Sequence, residues 1–433
     1  MSGVYSSATL VQEHPSTQEK SKASGSVALV IAAALGLSSG FTALFVGTTG
    51  VFLLPIAQTL GVGRGAAASC VISASLGLAI SSPIAGRLVD RYGFRKVISV
   101  SILLFVLGLL SLSVGPYNVT ALSIKTFLIG LLGVATSPVG YLPILARSFE
   151  RRLGLALGIA SVGAGIGAAV APLVAGGLIQ RHGWQFTYMV LAATAAVLGA
   201  LATYLIYRFG GSAAEPAVKP SARDEAVLPG MTARESLAHP RFWVMSISIA
   251  LVAAVGLGGM VHIPAMLKDN GLSVELAAAG SSFAAIGITC GRLLAGVLLD
   301  LITARVLSAI LFLLGALGVL ILATVSHSTP YPLLGLGAAL TGMLIGAEGD
   351  LMPFLVKRYF GLRSFGMVYG LMISIFAIGT LLGPILFGAA FDRLGNYHLA
   401  MEVAIVACVV GAIGILTVGS YRYASDQRAE RPS

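Results

Sequence analysis

Long runs of apolar residues, separated by short polar segments, cover most of this chain. A helix needs about 20 predominantly apolar residues to cross the hydrocarbon core of a bilayer, which is roughly 30 Å thick. Runs of about that length lie near residues 27–57, 66–88, 97–115, 119–146, 153–179, 186–207, 242–267, 273–299, 305–326, 331–356, 364–390 and 398–420. The pattern predicts an all-α integral membrane protein with twelve transmembrane helices. The first run is long enough to need a tilt or a kink.

The composition favours a membrane protein over other classes. Charged residues make up only 10% of the chain, against roughly 25% in soluble domains. The formal net charge of +10 would suit a nucleic-acid partner, but no polar stretch is long enough to form such a binding domain. We therefore expect a lipid bilayer, and no nucleic acid, around this chain. The three cysteines, Cys70, Cys290 and Cys408, lie in apolar runs, so neither a disulfide framework nor a metal site is predicted.

The distribution of basic residues predicts the orientation. When both termini are placed on one side, 21 of the 27 Lys and Arg residues fall in tails and loops on that side. The positive-inside rule then makes this side cytoplasmic, and we expect a multi-pass protein of the bacterial inner membrane. Residues 1–26 are predicted to be a disordered cytoplasmic tail, and residues 421–433 a second cytoplasmic tail.

The two halves of the chain resemble each other. A glycine, an aspartate and an arginine recur with the same spacing 210 residues later: Gly86, Asp90 and Arg95, then Gly296, Asp300 and Arg305. A second set recurs with an offset of 212 in the fifth and eleventh helices: Gly158, Gly167, Pro172, Gly176, Arg181 and Gly183, then Gly370, Gly379, Pro384, Gly388, Arg393 and Gly395. Plain helix packing or a bending motion would explain these small residues and prolines equally well.

Such a repeat predicts two pseudo-symmetric six-helix bundles. They would cover residues 27–207 and 242–420, with a linker at 208–241. Within the linker, Thr232 and Glu235 have the spacing of a capping box and predict a short helix over residues 235–238.

The polar segment between the second and third helices carries a recognisable motif. Residues 86–96 read Gly-Arg-Leu-Val-Asp-Arg-Tyr-Gly-Phe-Arg-Lys, which resembles the G-x-x-x-D-R-x-G-x-R-K signature of the major facilitator superfamily at the same place. A loop that is basic only because cytoplasmic loops are basic would explain the arginines but not the paired Gly and Asp spacing. The resemblance implies a transporter that works by alternating access, and we expect a monomer.

The motif and its repeat predict a conformational latch. Its candidate residues are Gly86, Asp90, Arg91, Gly93, Arg95, Gly296, Asp300 and Arg305. We expect Asp90 to lie at the cytoplasmic start of helix 11, where its charge meets the positive end of the helix dipole and nearby arginines. Asp300 should do the same for helix 5, so that the two contacts close the cytoplasmic side.

Ionisable groups inside the membrane are costly and are therefore functional candidates. Arg292 lies eight residues before Asp300, or about 12 Å deeper along a helix, and its planar guanidinium matches a carboxylate. It is the best candidate for binding substrate, although a permanent ion pair with Glu348 or Asp350 would also explain it. Those two carboxylates are two positions apart and point in different directions. Both are candidates for proton coupling, with the deeper Glu348 preferred.

Two further residues are weaker candidates for substrate binding. His262, near the outer end of helix 7, could contact substrate or relay a proton, or it could be a packing histidine whose ring nitrogens are already hydrogen-bonded. Tyr141, in helix 4, offers a hydroxyl group beside an organic anion, or fills a helix interface as an aromatic side chain.

Near these residues the chain is similar to the monocarboxylate and oxalate/formate branch of the superfamily. The similar segments are residues 50–55, residues 149–158, His262 with Pro264, Gly291 with Arg292, and residues 358–361. The resemblance implies that Arg292 engages a substrate carboxylate. The chain departs from the animal carriers at Ile288, where they have an Asp, and in its uncharged helix 1. It also lacks the helix 11 lysine of the oxalate exchanger, so a two-cation clamp is not expected.

These features favour secondary transport of a small organic anion with proton symport and no cofactor. Within the branch, some bacterial members carry intermediates of aromatic catabolism, so a methylmuconolactone-type acid is a candidate substrate. The alternative is drug or metabolite efflux by proton antiport, but residues 171–177 match the Gly-Pro-x-x-Gly-Gly motif of antiporters only in part. An ATP-driven pump and an intramembrane enzyme lack their motifs, and the two-half repeat disfavours a passive channel.

Overall fold

A computed structural model describes residues 17–150, 152–216, 228–325 and 329–423. Its α-helices are α1 Thr17–Ser38, α2 Thr49–Leu60, α3 Arg64–Tyr92, α4 Phe94–Leu112, α5 Val119–Leu132, α6 Pro138–Ser148, α7 Leu153–Phe209, α8 Ala233–Ala238, α9 Pro240–Asp269, α10 Val274–Leu298, α11 Ala304–Ala323, α12 Tyr331–Phe360, α13 Phe365–Leu394 and α14 His398–Thr417. A π-helical turn, Phe41–Val46, and two 3-10 turns, Val134–Thr136 and Gly211–Ala214, complete the helical elements. The predicted tails and the middle of the linker lie largely outside the described residues, but α1 begins at Thr17, ten residues before the predicted first crossing.

These helices form the twelve predicted membrane crossings, in two six-helix bundles. The π-helical turn joins α1 to α2 in the first crossing, and a 3-10 turn joins α5 to α6 in the fourth. Helix α7 has 57 residues, which would extend about 85 Å if it were straight. Gly183 has a non-helical backbone with φ of 83°, so α7 contributes the fifth and sixth crossings. The twelve-helix prediction is confirmed.

The breaks in the first and fourth crossings lie against each other. The backbone N–H of Phe41 donates a hydrogen bond of 3.0 Å to the Thr136 hydroxyl. A Cβ atom at Gly40 would lie 1.9 Å from the Thr136 carbonyl oxygen, so only glycine permits this approach. In hydrocarbon, backbone groups freed by a break need such partners. The first apolar run is therefore interrupted within the N-terminal bundle, where the fourth crossing satisfies one of its freed amides.

The linker ends in the predicted capping box. The Thr232 N–H donates to Glu235 Oε2 at 2.8 Å, and the Glu235 N–H donates to the Thr232 hydroxyl at 3.3 Å. The first of these bonds lowers the pKa of the Glu235 carboxyl group. The capping-box prediction is confirmed, and α8 begins at Ala233, two residues earlier than predicted.

The two bundles meet mainly where α3 packs on α13 and where α7 packs on α10. A Cβ at Gly86 would lie 1.9 Å from the Gly366 carbonyl oxygen, and one at Gly296 would lie 2.9 Å from the Gly158 Cα. Gly86 and Gly296 are the repeat-related pair, so the two crossings are pseudo-symmetric copies. Both lie at the end of the bundle that carries Asp90 and Asp300, which we call the basic end. The chain is therefore closed at the basic end by contacts in which backbones almost touch.

Replacing Gly86 with alanine should open this end. The added Cβ cannot fit beside Gly366, so α3 and α13 must separate and the closed state becomes less populated. Spin labels at Val100 and Leu301, in a chain whose cysteines have been replaced, should report a longer distance between the halves. Gly50→Ala is the matched control, because a Cβ there meets no atom within 4 Å. Equal distances in the Gly86→Ala variant and the parent protein would contradict the close crossing.

Candidate functional site

Asp90 joins the N-terminal half to the start of α13. Its Oδ1 accepts a hydrogen bond from the Gly366 N–H at 3.1 Å, and its Oδ2 accepts one from the Met367 N–H at 3.0 Å. Oδ1 also pairs with Arg147 Nη2 at 2.8 Å. A carboxylate at a helix N-terminus satisfies free backbone donors and interacts favourably with the helix dipole. The predicted placement of Asp90 is confirmed, and the sequence analysis did not identify Arg147 as its ionic partner.

Asp300 makes the pseudo-symmetric contact with the start of α7. Its two carboxylate oxygens accept hydrogen bonds from Gly154 N–H at 2.9 Å and Leu155 N–H at 3.0 Å. Its predicted placement is also confirmed. In the described ranges Asp300 has no ion pair, and it is exposed, whereas the Asp90 side chain is only 13% exposed. The two contacts therefore share their geometry but differ in strength.

The arginines of the motif do not reach Asp90. Arg91 lies over the Tyr92 ring at 5.3 Å, and Arg95 lies over the Tyr207 ring at 5.6 Å. Both guanidinium groups thus stack on aromatic faces, which is a favourable arrangement for a cation. The expectation that nearby arginines neutralise Asp90 holds only through Arg147, which stands outside the motif.

The other predicted latch residues have structural positions at the same end. Gly93 joins α3 to α4 with φ of 80°, a value that side-chain-bearing residues rarely adopt. Arg305 is the second residue of α11, and among the described residues it forms no ion pair. The role of these residues in switching stays a prediction.

Arg292 lies at the interface between the halves. It belongs to α10, and its Nη1 donates a hydrogen bond of 3.2 Å to the carbonyl oxygen of Ser161 in α7. A Cβ at Gly165 would lie 3.1 Å from the same nitrogen, so the guanidinium lies directly against the other half. Its remaining N–H groups bond to none of the residues that the structure describes. A cation with several free donors is thus held between the two bundles.

Asp350 meets the same serine from α12. The Ser161 hydroxyl donates a short hydrogen bond to Asp350 Oδ1, while Oδ2 is buried without a partner in the described structure. The charges of Asp350 and Arg292 are close enough to interact. We call Ser161, Arg292 and Asp350 the Ser161 cluster. It joins α7 of the N-terminal half to α10 and α12 of the C-terminal half.

Glu348 points elsewhere. Its carboxyl group is fully buried, and in the described part of the chain neither oxygen has a hydrogen-bond partner. Its charge acts on the Cys408 thiol in α14, inside the C-terminal bundle. An unpaired buried charge is costly, so this environment suits a neutral carboxyl group. Of the two candidate carboxylates, the structure brings Asp350, and not Glu348, next to Arg292.

His262 lies within the C-terminal bundle and is not part of the Ser161 cluster. Its Nε2 donates to the Pro384 carbonyl oxygen at 3.1 Å, which leaves Nδ1 to accept from the Tyr397 hydroxyl at 3.1 Å. Its ring also stacks on Phe387. Both nitrogens are therefore engaged, in agreement with the packing alternative, and a substrate-binding role stays a prediction.

Two buried tyrosines have hydroxyl groups without hydrogen-bond partners among the described residues. The ring of Tyr141 packs on Gly36 of α1, where a Cβ would lie 2.1 Å from its Cζ atom. Tyr369 in α13 is close enough to Asp350 for the charge of that carboxylate to act on it. The sequence analysis considered Tyr141 and did not identify Tyr369.

Ser161 was also not identified from the sequence. It follows Gly154 and Gly158 and precedes Gly165 at spacings of three or four residues, which place all four on one face of α7. That face packs on α10. The periodic glycines could therefore have indicated that Ser161 lies between the halves.

Comparisons with known proteins agree with this architecture. The Major Facilitator Superfamily profile matches residues 35–384 and 263–432. The chain is 28% identical to monocarboxylate transporter 13 of Bos taurus over 355 residues, which cover 80% of this chain and 79% of that protein. It is 26% identical to a gallate transporter of Pseudomonas putida over 430 residues, 86% of this chain and 92% of that protein. The crystal structure of the E. coli fucose:proton symporter superposes with a TM-score of 0.68 at 16% identity, covering 92% of this chain and all of that one.

The two latch aspartates should differ in importance. Asp90→Asn removes a charge that Arg147 and two backbone donors share, and it leaves Arg147 buried without its anion. We expect the transport rate to fall about tenfold or more, since a hydrogen bond to a charged group contributes about 1.5–3 kcal/mol. Asp300→Asn, in an exposed contact, should have a smaller effect. The measurement is the initial rate of substrate exchange in each variant, together with its substrate binding constant. A normal exchange rate for Asp90→Asn would contradict the latch.

Proposed function

Because the chain belongs to the Major Facilitator Superfamily, we propose that it carries a small organic acid with one carboxylate across the membrane together with a proton. Members of this family are secondary transporters and not enzymes. Relatives named as monocarboxylate and gallate transporters support a carboxylate substrate. We place the protein in the bacterial inner membrane as a monomer, with its termini and its basic end in the cytoplasm, on the basis of the positive-inside rule.

The observation that carries this proposal is the position of Arg292. Substrate sites of such transporters lie near the bilayer midplane, between the two repeats. Arg292 lies between the halves, and only one hydrogen bond, to the Ser161 carbonyl oxygen, holds it among the described residues. A guanidinium has five N–H donors in a planar fork that matches a carboxylate in a bidentate pair. A substrate carboxylate would supply the missing acceptors and offset the buried positive charge.

The surroundings of Arg292 limit the charge of the substrate. Asp350 already supplies one negative charge to the Ser161 cluster, and Ile288 lies one helical turn before Arg292 on α10. A second carboxylate on the substrate would lack a cation there. A monocarboxylate with further uncharged polar groups, such as an aromatic or lactone acid, suits the cluster better. The free hydroxyl of Tyr369 can bond to such a group, while Tyr141 is a weaker candidate because its ring packs within its own half.

Charge balance assigns the proton to Asp350. When a substrate carboxylate binds Arg292, the cluster contains two negative charges and one positive charge. A proton on Asp350 restores neutrality, and its unpartnered Oδ2 is the atom that can receive it. The neutral, loaded cluster can then be enclosed at a lower desolvation cost than a charged one. Substrate binding and proton uptake are linked in this way at one group of residues.

Arg292 should be essential in its guanidinium form. Arg292→Ala and Arg292→Lys should both reduce uptake to less than about one tenth, because an ammonium group cannot form the bidentate pair. Uptake of labelled mono- and dicarboxylates, including gallate, into proteoliposomes under an imposed proton gradient measures this. Arg393→Lys, at the opposite end of the C-terminal half, is the matched control and should transport normally. Full transport by Arg292→Lys would show that the fork geometry is not required.

Asp350 and Glu348 should behave differently when their charge is removed. Asp350→Asn mimics the protonated state, so it should lose accumulation driven by the proton gradient and keep substrate exchange across the bilayer. Glu348→Gln should keep both activities, since Glu348 lies away from Arg292. Ser161→Ala separates the loss of the hydrogen bond from the loss of the charge. If Glu348→Gln alone abolishes accumulation, then Glu348 carries the proton and the assignment to Asp350 is wrong.

A further inference from the structure

An open groove of about 580 Å³ lies at the basic end, away from the Ser161 cluster. Its walls come from both halves of the protein. Its lining includes four arginines, Arg87, Arg91, Arg234 and Arg363, and two hydroxyl-bearing residues, Thr232 and Ser364. The proposed transport function does not use this groove.

The groove carries an excess of positive charge. Arg87, Arg91, Arg234 and Arg363 are all exposed. Within the described ranges, none of the four forms an ion pair or a hydrogen bond, and Arg91 only stacks on a neighbouring ring. Four like charges around one groove repel each other, and an anion between them would relieve that repulsion.

The acidic groups nearby are already engaged. Asp90, the acidic lining residue, accepts two backbone hydrogen bonds and pairs with Arg147. Glu235 caps the N-terminus of α8 through Thr232. Glu235 also interacts electrostatically with Arg363. Two carboxylates that are already hydrogen-bonded do not balance four arginines, however, so the groove keeps a net positive charge that an external anion would neutralise.

The chemistry of the walls favours a phosphate group. Arginine forks bind phosphate oxygens in bidentate pairs, and a phosphate offers several acceptor oxygens to cations on opposite walls. Thr232 and Ser364 add hydroxyl groups at the same groove. A single carboxylate, with two oxygens and one charge, would leave most of these donors unused.

The groove exists only while the basic end is closed. Arg87 and Arg91 belong to the N-terminal half, and Arg363 belongs to the C-terminal half. Arg234 lies on the linker helix α8, which packs on α9 and α13 of the C-terminal half, so opening separates the two pairs. A ligand that binds both walls shifts the equilibrium toward the closed state by its differential affinity. Occupancy would thus add to the latch made by Asp90.

We propose that this groove binds a phosphate group and thereby stabilises the closed basic end of the transporter. Two sources share this chemistry, namely a soluble phosphate compound and the headgroup of an anionic phospholipid. Exposed aromatic residues near the groove, Tyr92 and Trp243, are of the kind that lies at the membrane–water interface. A lipid headgroup can therefore reach the groove, as can a solute.

The test uses the full chain in nanodiscs, with spin labels at Val100 and Leu301 reporting the distance between the halves. One arm adds inorganic phosphate or glycerol phosphate to zwitterionic nanodiscs, against chloride at equal ionic strength. The other arm replaces phosphatidylcholine with phosphatidylglycerol. We expect the population with the short distance to rise in at least one arm. A rise with the soluble compounds identifies a solute site, and a rise with phosphatidylglycerol alone identifies a lipid site.

The double variant Arg234→Ala/Arg363→Ala removes the arginines of one wall. In whichever arm the parent protein responds, this variant should need about tenfold more of the phosphate compound or lipid, or more, for the same rise in the short-distance population, since at least one hydrogen bond to a charged group is lost. Arg181→Ala/Arg393→Ala removes the same charge at the opposite end and is the matched control. Two results would overturn the proposal: no change in either arm for the parent protein, or an undiminished response in the Arg234/Arg363 variant.

Discussion

The structure depends on two contacts in which an aspartate of one half binds the first N–H groups of a helix in the other half. Asp90 and Asp300 can do this only because the helix backbones beside them almost touch, at Gly86 against Gly366 and at Gly296 against Gly158. The carboxylates satisfy backbone donors that a helix leaves free at its start, and the glycines remove the side chains that would hold the halves apart. Either part of the contact would be weak without the other.

The close approach at the basic end also assembles the candidate substrate site. The face of α7 that begins with Gly154 and Gly158 at the latch continues to Ser161, which contacts both Arg292 and Asp350. A movement that separates the glycine crossing must therefore also separate Ser161 from one or both of its partners. Conversely, a ligand that binds Arg292 and changes the charge there should change how stably this face of α7 packs on α10. The predicted latch and the candidate site thus share one face of α7, which is a physical route by which one would influence the other.

The pseudo-symmetry of the two latches is incomplete, and the differences follow a physical pattern. Asp90 is shielded from solvent and paired with Arg147, while Asp300 is exposed and relies on backbone donors. The Asp90 contact also borders the arginine groove. One copy of the repeat thus has the more extensive contact, and it borders the groove that we propose as an anion site. The other copy completes the geometry of the interface.

Much of the fold follows from the sequence because hydrocarbon imposes strict rules on it. The apolar runs determined twelve crossings, since backbone groups in lipid must be satisfied within helices, and the repeated Gly and Asp spacing predicted which helix ends the latch aspartates would reach. Local pattern could not show which carboxylate faces Arg292, because Glu348 and Asp350 differ by two positions and the rotation of α12 within its bundle decides the outcome. It also could not show Arg147 or Tyr369, whose partners lie 57 and 19 residues away along the chain. The periodic glycines could place Ser161 between the halves, but they could not show that it meets Asp350, 189 residues away. The sequence by itself determined the helices, the repeat and the candidate ions, whereas the packing of one half against the other decided which of those ions meet.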